Sequence, residues 1–197
     1  VMSSVLIAAN GISALGGERK EGTQFIINAG IGGNNTADLL NRIDRDCLTH
    51  RPELTIITVG TNDMNSRKFI PLDTFESNLE EIVSKLRKIG SKVVFLTLIP
   101  AYEPYLMTRH PKTFYEPEGY AARVIATNAV VKKMAKKKGV EVFDMGHIFQ
   151  SVGMIGEDKL SLLQNEQNTG NKDGIHPTPD GYRLMATALY TFLQQKG

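Results

Sequence analysis

The sequence contains no tryptophan, a single cysteine and almost no excess of either charge. Because Cys47 has no second cysteine in the chain, no internal disulfide is possible, and cysteine usage indicates no compartment. The net charge of +2 is too small to predict binding to nucleic acid or to an anionic membrane. No apolar run is long enough to cross a bilayer. We therefore expect a soluble protein, secreted or periplasmic if a signal peptide has been removed ahead of Val1 and cytoplasmic otherwise.

The length of 197 residues and the hydrophobic content of 41% fit one globular domain, residues 1–197, with a sizeable core. Short apolar runs alternate with longer segments of helical periodicity. Runs this apolar are typical of strands that are covered on both faces, as in a parallel sheet. The predicted strands are residues 4–9, 24–30, 54–60, 92–99 and 140–145.

The segments between these strands predict four helices, at residues 36–49, 73–89, 118–138 and from 179 onward. Asp73 is suited to cap the second helix, while Thr178 and Pro179 suit the cap and first position of the last. Strands that alternate with crossover helices predict a three-layer α/β/α sandwich with a five-stranded parallel sheet, a flavodoxin-like fold. In such folds, ligands bind at the carboxyl ends of the strands.

Four loops carry groups suited to catalysis. The first is the turn Ala9-Asn10-Gly11 after the opening strand, and the second is the glycine-rich stretch at residues 28–36. The third, at 59–64, contains Asn62, and the fourth, at 173–182, contains Asp173 and His176. We expect these loops to meet at one edge of the sheet.

The residue types in these loops suit acyl transfer. An oxyanion that develops on an ester carbonyl needs preset donors in a dry site, and the backbone N–H of Gly33 and the amide of Asn62 can supply them. A general base near pH 7 is best made from histidine, which here is His176. Asp173 is placed to fix the tautomer of that ring. The nucleophile alone is missing.

Three stretches, "NAGIGGN" (28–34), "VGTND" (59–63) and "DGIHPTPDGY" (173–182), resemble conserved blocks of the SGNH (GDSL) hydrolases. The resemblance implies an SGNH-hydrolase fold that acts on carboxylic esters or carbohydrate O-acetyl esters, with no metal or organic cofactor. It also implies that Gly33 and Asn62 are oxyanion donors, that His176 is the base and that Asp173 orients it.

The first block departs from the family, because Gly11 stands where the nucleophilic serine is expected. Its backbone N–H can still serve as an oxyanion donor. Three explanations remain open: an engineered substitution, a natural relative that binds a ligand or lets His176 activate water, and an alternative nucleophile at Ser13. The sequence therefore predicts a GDSL-type ester hydrolase with a degenerate nucleophile position, and the alternative is a non-catalytic SGNH-like binding protein.

Simpler interpretations compete with each block taken alone. The segment around Asp173 and Pro177 can be a turn that leads into a helix, and Asn62 can cap the segment that follows it. Cys47 and His50 are three residues apart, where an ordinary helix face is favoured over a metal pair. His110 and His147 lack potential metal ligands at useful spacing.

Overall fold

The computed structural model describes residues 3–10 and 25–195. Within them, six strands form one sheet in the order β2-β1-β4-β5-β6, with β3 paired to β1. Without β3, this is the strand order of flavodoxin-like folds. The strands are β1 (Ser3–Asn10), β2 (Phe25–Asn28), β3 (Ile31–Gly32), β4 (Leu54–Thr58), β5 (Lys92–Leu96) and β6 (Glu141–Phe143).

The prediction of five parallel strands is not confirmed. Strands β4, β5 and β6 are parallel, whereas β1 is antiparallel to β2, β3 and β4. A continuous apolar run indicates burial on both faces, and a central strand has that burial whichever way it runs. The hydrophobic pattern therefore predicted the strands and did not specify the direction of β1.

The direction of β1 determines which of its ends lies near the candidate site. Val5 pairs with Thr58 at the carboxyl end of β4, while Ala9 pairs with Leu54 at its amino end. Four residues of strand span about 13 Å. Asn10 therefore lies at the edge of the sheet opposite to the carboxyl ends of β4, β5 and β6, contrary to the expected meeting of all four loops.

Seven α-helices are present in the described part of the chain. They are α1 (Thr36–Asp46), α2 (Leu72–Lys88), α3 (Glu103–Leu106), α4 (Tyr120–Lys138), α5 (Met145–Val152), α6 (Glu166–Thr169) and α7 (Pro179–Gln194). The predicted start of α7 is confirmed, since Thr178 accepts a hydrogen bond from the N–H of Gly181. The predicted cap at Asp73 is wrong, because α2 begins one residue earlier, directly after Pro71, whose φ of −56° already suits a helix start.

Helices cover both faces of the sheet. One hydrophobic cluster joins α1, α2 and α4 to β4 and β5, through buried residues such as Leu39, Leu79 and Met134. A second cluster joins α5 and α7 to the other face, where Phe149 is fully buried and Phe192 partly buried. The three-layer arrangement agrees with the prediction. No helix in residues 3–10 and 25–195 combines the length and apolar character that a membrane span requires.

Candidate active site

The glycine-rich loop turns sharply between β3 and α1. Gly33 has a φ of +80°, a conformation that glycine adopts without strain. Asn35 then caps α1 by accepting a hydrogen bond from the N–H of Asp38. This turn brings the backbone of Gly33 and Asn34 to the carboxyl edge of β4.

A buried arginine holds this loop in place. Arg42 of α1 is 7% exposed; its Nε donates to Asn34 Oδ1 at 2.6 Å and its Nη1 to the carbonyl of Ala29 at 2.7 Å. Nη1 also pairs with Asp46 at 3.1 Å. A guanidinium with several fixed acceptors restricts their movement, because its planar fork sets where each bond points. Arg42 therefore holds the loop on both sides of Gly33, a role that no sequence motif indicated.

Asn62 lies directly against the glycine-rich loop. Its Nδ2 donates to the carbonyl of Asn34 at 2.9 Å, and its Oδ1 accepts from Asn65 Nδ2 at 3.1 Å. Because an amide nitrogen carries two N–H groups, one can hold the loop while the other points elsewhere. The Asn62 amide and the Gly33 backbone are thus fixed relative to each other.

The neighbouring carboxylate has a structural role. Asp63 is 2% exposed, and its Oδ1 accepts from the Thr36 backbone N–H at 3.0 Å and from Thr36 Oγ1 at 2.5 Å. Burial raises the pKa of Asp63, and the two hydrogen bonds from Thr36 oppose that shift. Asp63 thereby ties the loop that carries Asn62 to the first turn of α1.

Asp173 and His176 form a close pair at the entrance to α7. The Nδ1 atom of His176 lies 2.7 Å from Asp173 Oδ2 and 2.8 Å from Oδ1. The same carboxylate accepts the backbone N–H groups of Ile175 at 2.9 Å and His176 at 2.7 Å. Burial acts to raise the pKa of Asp173, but the hydrogen bonds from the side chain and backbone of His176 and from Ile175 outweigh it and hold the pKa well below its usual range. Asp173 is therefore an ionised acceptor that can keep the proton of the imidazole on Nδ1.

Gly174 allows this pair to pack against the loop after β5. It has a φ of +71°, and a Cβ at this position would lie 2.7 Å from the backbone oxygen of Tyr102. Tyr102 in turn donates its N–H to the carbonyl of Gly174 at 2.7 Å. A larger residue would move Asp173 away from its partners.

Arg109 is a further partner of the pair that sequence reasoning missed. Its Nη1 lies 3.3 Å from Asp173 Oδ2, and its Nη2 donates to the carbonyl of Asp173. In the sequence, the loop at residues 100–119 stands out by its length and its basic residues. Neither feature indicates which residue the guanidinium of Arg109 binds. Arg109 therefore holds both the carboxylate and the backbone of Asp173.

Gly33, Asn62 and His176 line one cavity of about 290 Å³. Its wall also contains Arg67, Arg109 and His110, and no Asp or Glu is among the described residues that line it. Burial, followed by the charges of Arg67 and Arg109, lowers the pKa of His110. The lining is therefore suited to a developing negative charge.

The remaining sequence predictions have different outcomes. Gly11 and Ser13 lie outside the described residues, so their assignments stay predictions. Cys47 is fully buried whereas His50 is exposed, and burial raises the pKa of the Cys47 thiol to about 11. The described residues contain no cluster of three or more potential metal ligands.

Comparison with known proteins identifies the family. Residues 10–184 match the GDSL-like Lipase/Acylhydrolase family. The chain belongs to this family. The resemblance drawn from the sequence blocks is thereby confirmed, and the match includes the segments that carry Gly33, Asn62 and His176.

Individual relatives are distant. The chain is 28% identical to the uncharacterized lipoprotein YqeF of Bacillus subtilis over 84% of this chain and 72% of that protein. It is 24% identical to an acetylxylan esterase of Xylanibacter ruminicola over 74% of this chain, but only 29% of that longer protein. A solved acetyl xylan esterase, AlAXEase, superposes with a TM-score of 0.64 at 21% identity, covering 82% of this chain and 77% of that one. This last likeness shows the shared α/β fold.

Proposed function

We propose that the protein hydrolyses small carboxylic esters, with O-acetyl groups on carbohydrates as the preferred class. The observation that carries the proposal is the pairing of Asp173 Oδ2 with Nδ1 of His176, at 2.7 Å. His176 lines the same cavity as Asn62 and Gly33. Geometry of this kind supplies a base and an oxyanion site to the same reacting carbonyl.

In the proposed reaction, an attacking O–H adds its oxygen to the ester carbonyl carbon and gives its proton to Nε2 of His176. The electrons of the carbonyl double bond move to its oxygen, where the amide of Asn62 and the N–H of Gly33 stabilise the negative charge. The bond to the alcohol then breaks, and His176 returns the proton to the departing oxygen. Asp173 stabilises the imidazolium between these two transfers.

The attacking group is a water molecule or a serine, and the two differ in their products. Water gives the acid and the alcohol in one cycle. A serine gives an acyl-enzyme, which water then cleaves in a second cycle of the same proton transfers. No serine lines the cavity within the described chain.

The cavity supports a small acyl group. Its volume of about 290 Å³ is at the lower end of the range for ligand pockets, and the guanidinium of Arg67 at its wall favours polar or anionic groups. The relative from Xylanibacter ruminicola is named an acetylxylan esterase, which supports an acetylated carbohydrate as the substrate class.

A binding role without turnover is the second candidate. It is favoured by one observation, the glycine at position 11 where the family resemblance calls for a serine. The same cavity would then hold an acylated sugar without cleaving it.

Acetate release from 4-nitrophenyl acetate and from acetylated xylo-oligosaccharides distinguishes these candidates. We expect turnover by the unmodified protein and its loss in His176→Gln. His147→Gln is a matched control, because His147 is exposed on α5, and we expect it to leave the rate unchanged. Mass spectrometry of the quenched reaction then detects or excludes an acetylated enzyme. Saturable binding of the oligosaccharide without any acetate release would establish the binding role instead.

A further inference from the structure

The wall of the candidate active-site cavity carries three cationic side chains, Arg67, Lys68 and Arg109, and no Asp or Glu among its described lining residues. Two of these cations have anionic partners. Lys68 pairs with Asp38 at 2.5 Å, and Arg109 pairs with Asp173 at 3.3 Å. The positive charges of Lys68 and Arg109 are therefore compensated within the protein.

Arg67 has no such partner. Its guanidinium forms no ion pair or hydrogen bond within the chain segments that the structure describes, where its printed contact is made by the backbone N–H. The residue is exposed, so a solute can reach its side chain. Its charge contributes, after burial, to the lowered pKa of His110, which places the guanidinium near that ring. One uncompensated positive charge thus remains on the cavity wall.

Hydrogen bonds fix the backbone of Arg67 relative to the proposed oxyanion site. Asn65 Oδ1 accepts from the N–H of Arg67 at 2.9 Å, and Asn65 Nδ2 donates to Asn62 Oδ1 at 3.1 Å. On the other side, Ser66 Oγ lies 3.0 Å from Nδ1 of His110, which ties the segment to the loop that follows β5. The arginine therefore starts from a set position beside Asn62, and only its side chain is free to adjust.

The exposure of the lining residues indicates which part of a substrate would meet this cation. His176 is 7% exposed, whereas Arg67 lies in the exposed part of the wall. An ester carbonyl held at Asn62 and His176 would place its small acetyl group inside the cavity and its larger alcohol part toward solvent. The alcohol part is thus the part within reach of Arg67. A guanidinium binds a carboxylate through two parallel hydrogen bonds, which are stronger than those to a neutral hydroxyl.

We propose that this cavity selects acetylated sugars that carry a carboxylate, and that Arg67 binds that carboxylate. The inference rests on the proposed function for the position of the acetyl group. A single uncompensated cation matches a group with one negative charge. An acetylated neutral sugar would leave the guanidinium in contact with water alone.

Two glycosides that differ in one group test the binding without any need for turnover. Methyl galacturonoside carries a carboxylate where methyl galactoside carries a hydroxymethyl group. Chemical-shift titration of the unmodified protein should show the acidic glycoside binding about fivefold more tightly. Added salt, from about 0.02 M to about 0.5 M, should reduce this ratio because it screens an exposed charge. Equal affinities, or no saturable shift with the acidic glycoside, would overturn the proposal.

Variants assign the preference to one side chain. Arg67→Gln should bring the ratio of the two affinities close to one, and Arg67→Lys should retain part of it, because lysine keeps the charge without the planar fork. Arg183→Gln is the matched control, since Arg183 is 74% exposed on α7 and does not line the cavity. We expect this control to keep the full ratio. An unchanged ratio in the folded Arg67→Gln variant would contradict the assignment.

Acetate release from the O-acetylated forms of the same glycosides separates this proposal from the proposed hydrolysis. A higher kcat/KM for the acidic ester, lost in Arg67→Gln, would support both. Preferential binding of the acidic glycoside without acetate release would support the role of Arg67 and refute the hydrolysis. Acetate release at equal rates from both esters, with equal binding of both glycosides, would refute the role of Arg67 alone.

Discussion

The change Asp173→Asn removes one charge from the centre of the candidate site and keeps the shape of the side chain. Asp173 accepts hydrogen bonds from the ring of His176, from two backbone N–H groups and from Arg109. An asparagine can still accept from the backbone, but its amide nitrogen would compete with Nδ1 of His176 for the role of donor. The imidazole would then carry its proton on Nε2, the wrong nitrogen for a base.

The expected magnitudes follow from these contacts. Loss of the correct tautomer should lower kcat by about 10³–10⁴ with little change in KM. Hydrogen bonds to charged groups contribute about 1.5–3 kcal/mol. The Asp173 side chain is 14% exposed, and an asparagine can still accept the two backbone hydrogen bonds, so the lower value applies. We therefore expect the free energy of unfolding at pH 7 to fall by about 1.5 kcal/mol.

This stability difference should depend on pH. The folded state depresses the pKa of Asp173, so its stabilising contribution is complete above the pKa of the unfolded chain, about 3.9. The contribution is lost as the pH falls through the lower pKa of the folded state. The gap between the unmodified protein and Asp173→Asn should consequently remain constant from pH 7 to about pH 5 and narrow below about pH 4.

Urea unfolding at several pH values, together with 4-nitrophenyl acetate turnover, measures both effects. Asp180→Asn is the matched control, because Asp180 is 73% exposed and pairs only with the equally exposed Arg183 in the described structure. We expect this control to change stability by less than about 0.5 kcal/mol. Equal stability of the two variants at pH 7, or turnover by folded Asp173→Asn within about tenfold of the unmodified protein, would refute the reasoning.

Three further predictions concern other residues. Arg42→Met should lower the free energy of unfolding by about 1–3 kcal/mol, because it leaves the buried acceptors on Asn34 and Ala29 without their donor. Arg45→Met, at a side chain that is 76% exposed, should cost less than about 1 kcal/mol, and urea unfolding measures both. Cys47 should not react with a thiol reagent at pH 8 until the protein unfolds, since its pKa of about 11 suppresses the thiolate, and rapid labelling of the folded protein would contradict this. Asn62→Ala should lower kcat by about 10²–10³ with KM unchanged, whereas the control variant Asn171→Ala, at an exposed position, should leave kcat unchanged. If steady-state assays show the same loss of kcat in both variants, Asn62 has no oxyanion role.

Local features of the fold could be predicted from the sequence because they depend on neighbouring residues. The apolar stripe of α2 lies fully in the core, with Phe75 and Leu79 both at 0% exposure, as helical periodicity predicts. The cap at Thr178 and the first position at Pro179 are likewise correct. In both cases a few consecutive side chains decide the structure.

Features that depend on distant contacts could not be predicted. The direction of β1 is determined by which strand it pairs with, and its apolar residues suit either direction. Arg109 reaches Asp173 across 64 positions of the sequence, and no spacing rule connects them. Arg42 would be expected on a solvated helix face from its charge, whereas it lies buried beneath the glycine-rich loop.

The candidate site lies between these two cases. The pairing of Asp173 with His176 could be predicted, since three residues in a tight turn place a carboxylate beside a ring. The meeting of Asn62 with the glycine-rich loop was expected from the resemblance, and the bond from Asn62 to the carbonyl of Asn34 shows how the two loops are held. The attacking group is the part of the site that could not be located. The sequence blocks have a glycine at the expected serine position, and no serine lines the cavity among the described residues.

A crystal structure with bound acetate, the acid product of the proposed reaction, tests the central claim most directly. The account predicts one carboxylate oxygen within about 3 Å of Asn62 Nδ2 and the Gly33 nitrogen, with Nε2 of His176 facing the carboxyl carbon. Acetate bound outside this cavity, or an imidazole ring turned away from it, would contradict the account.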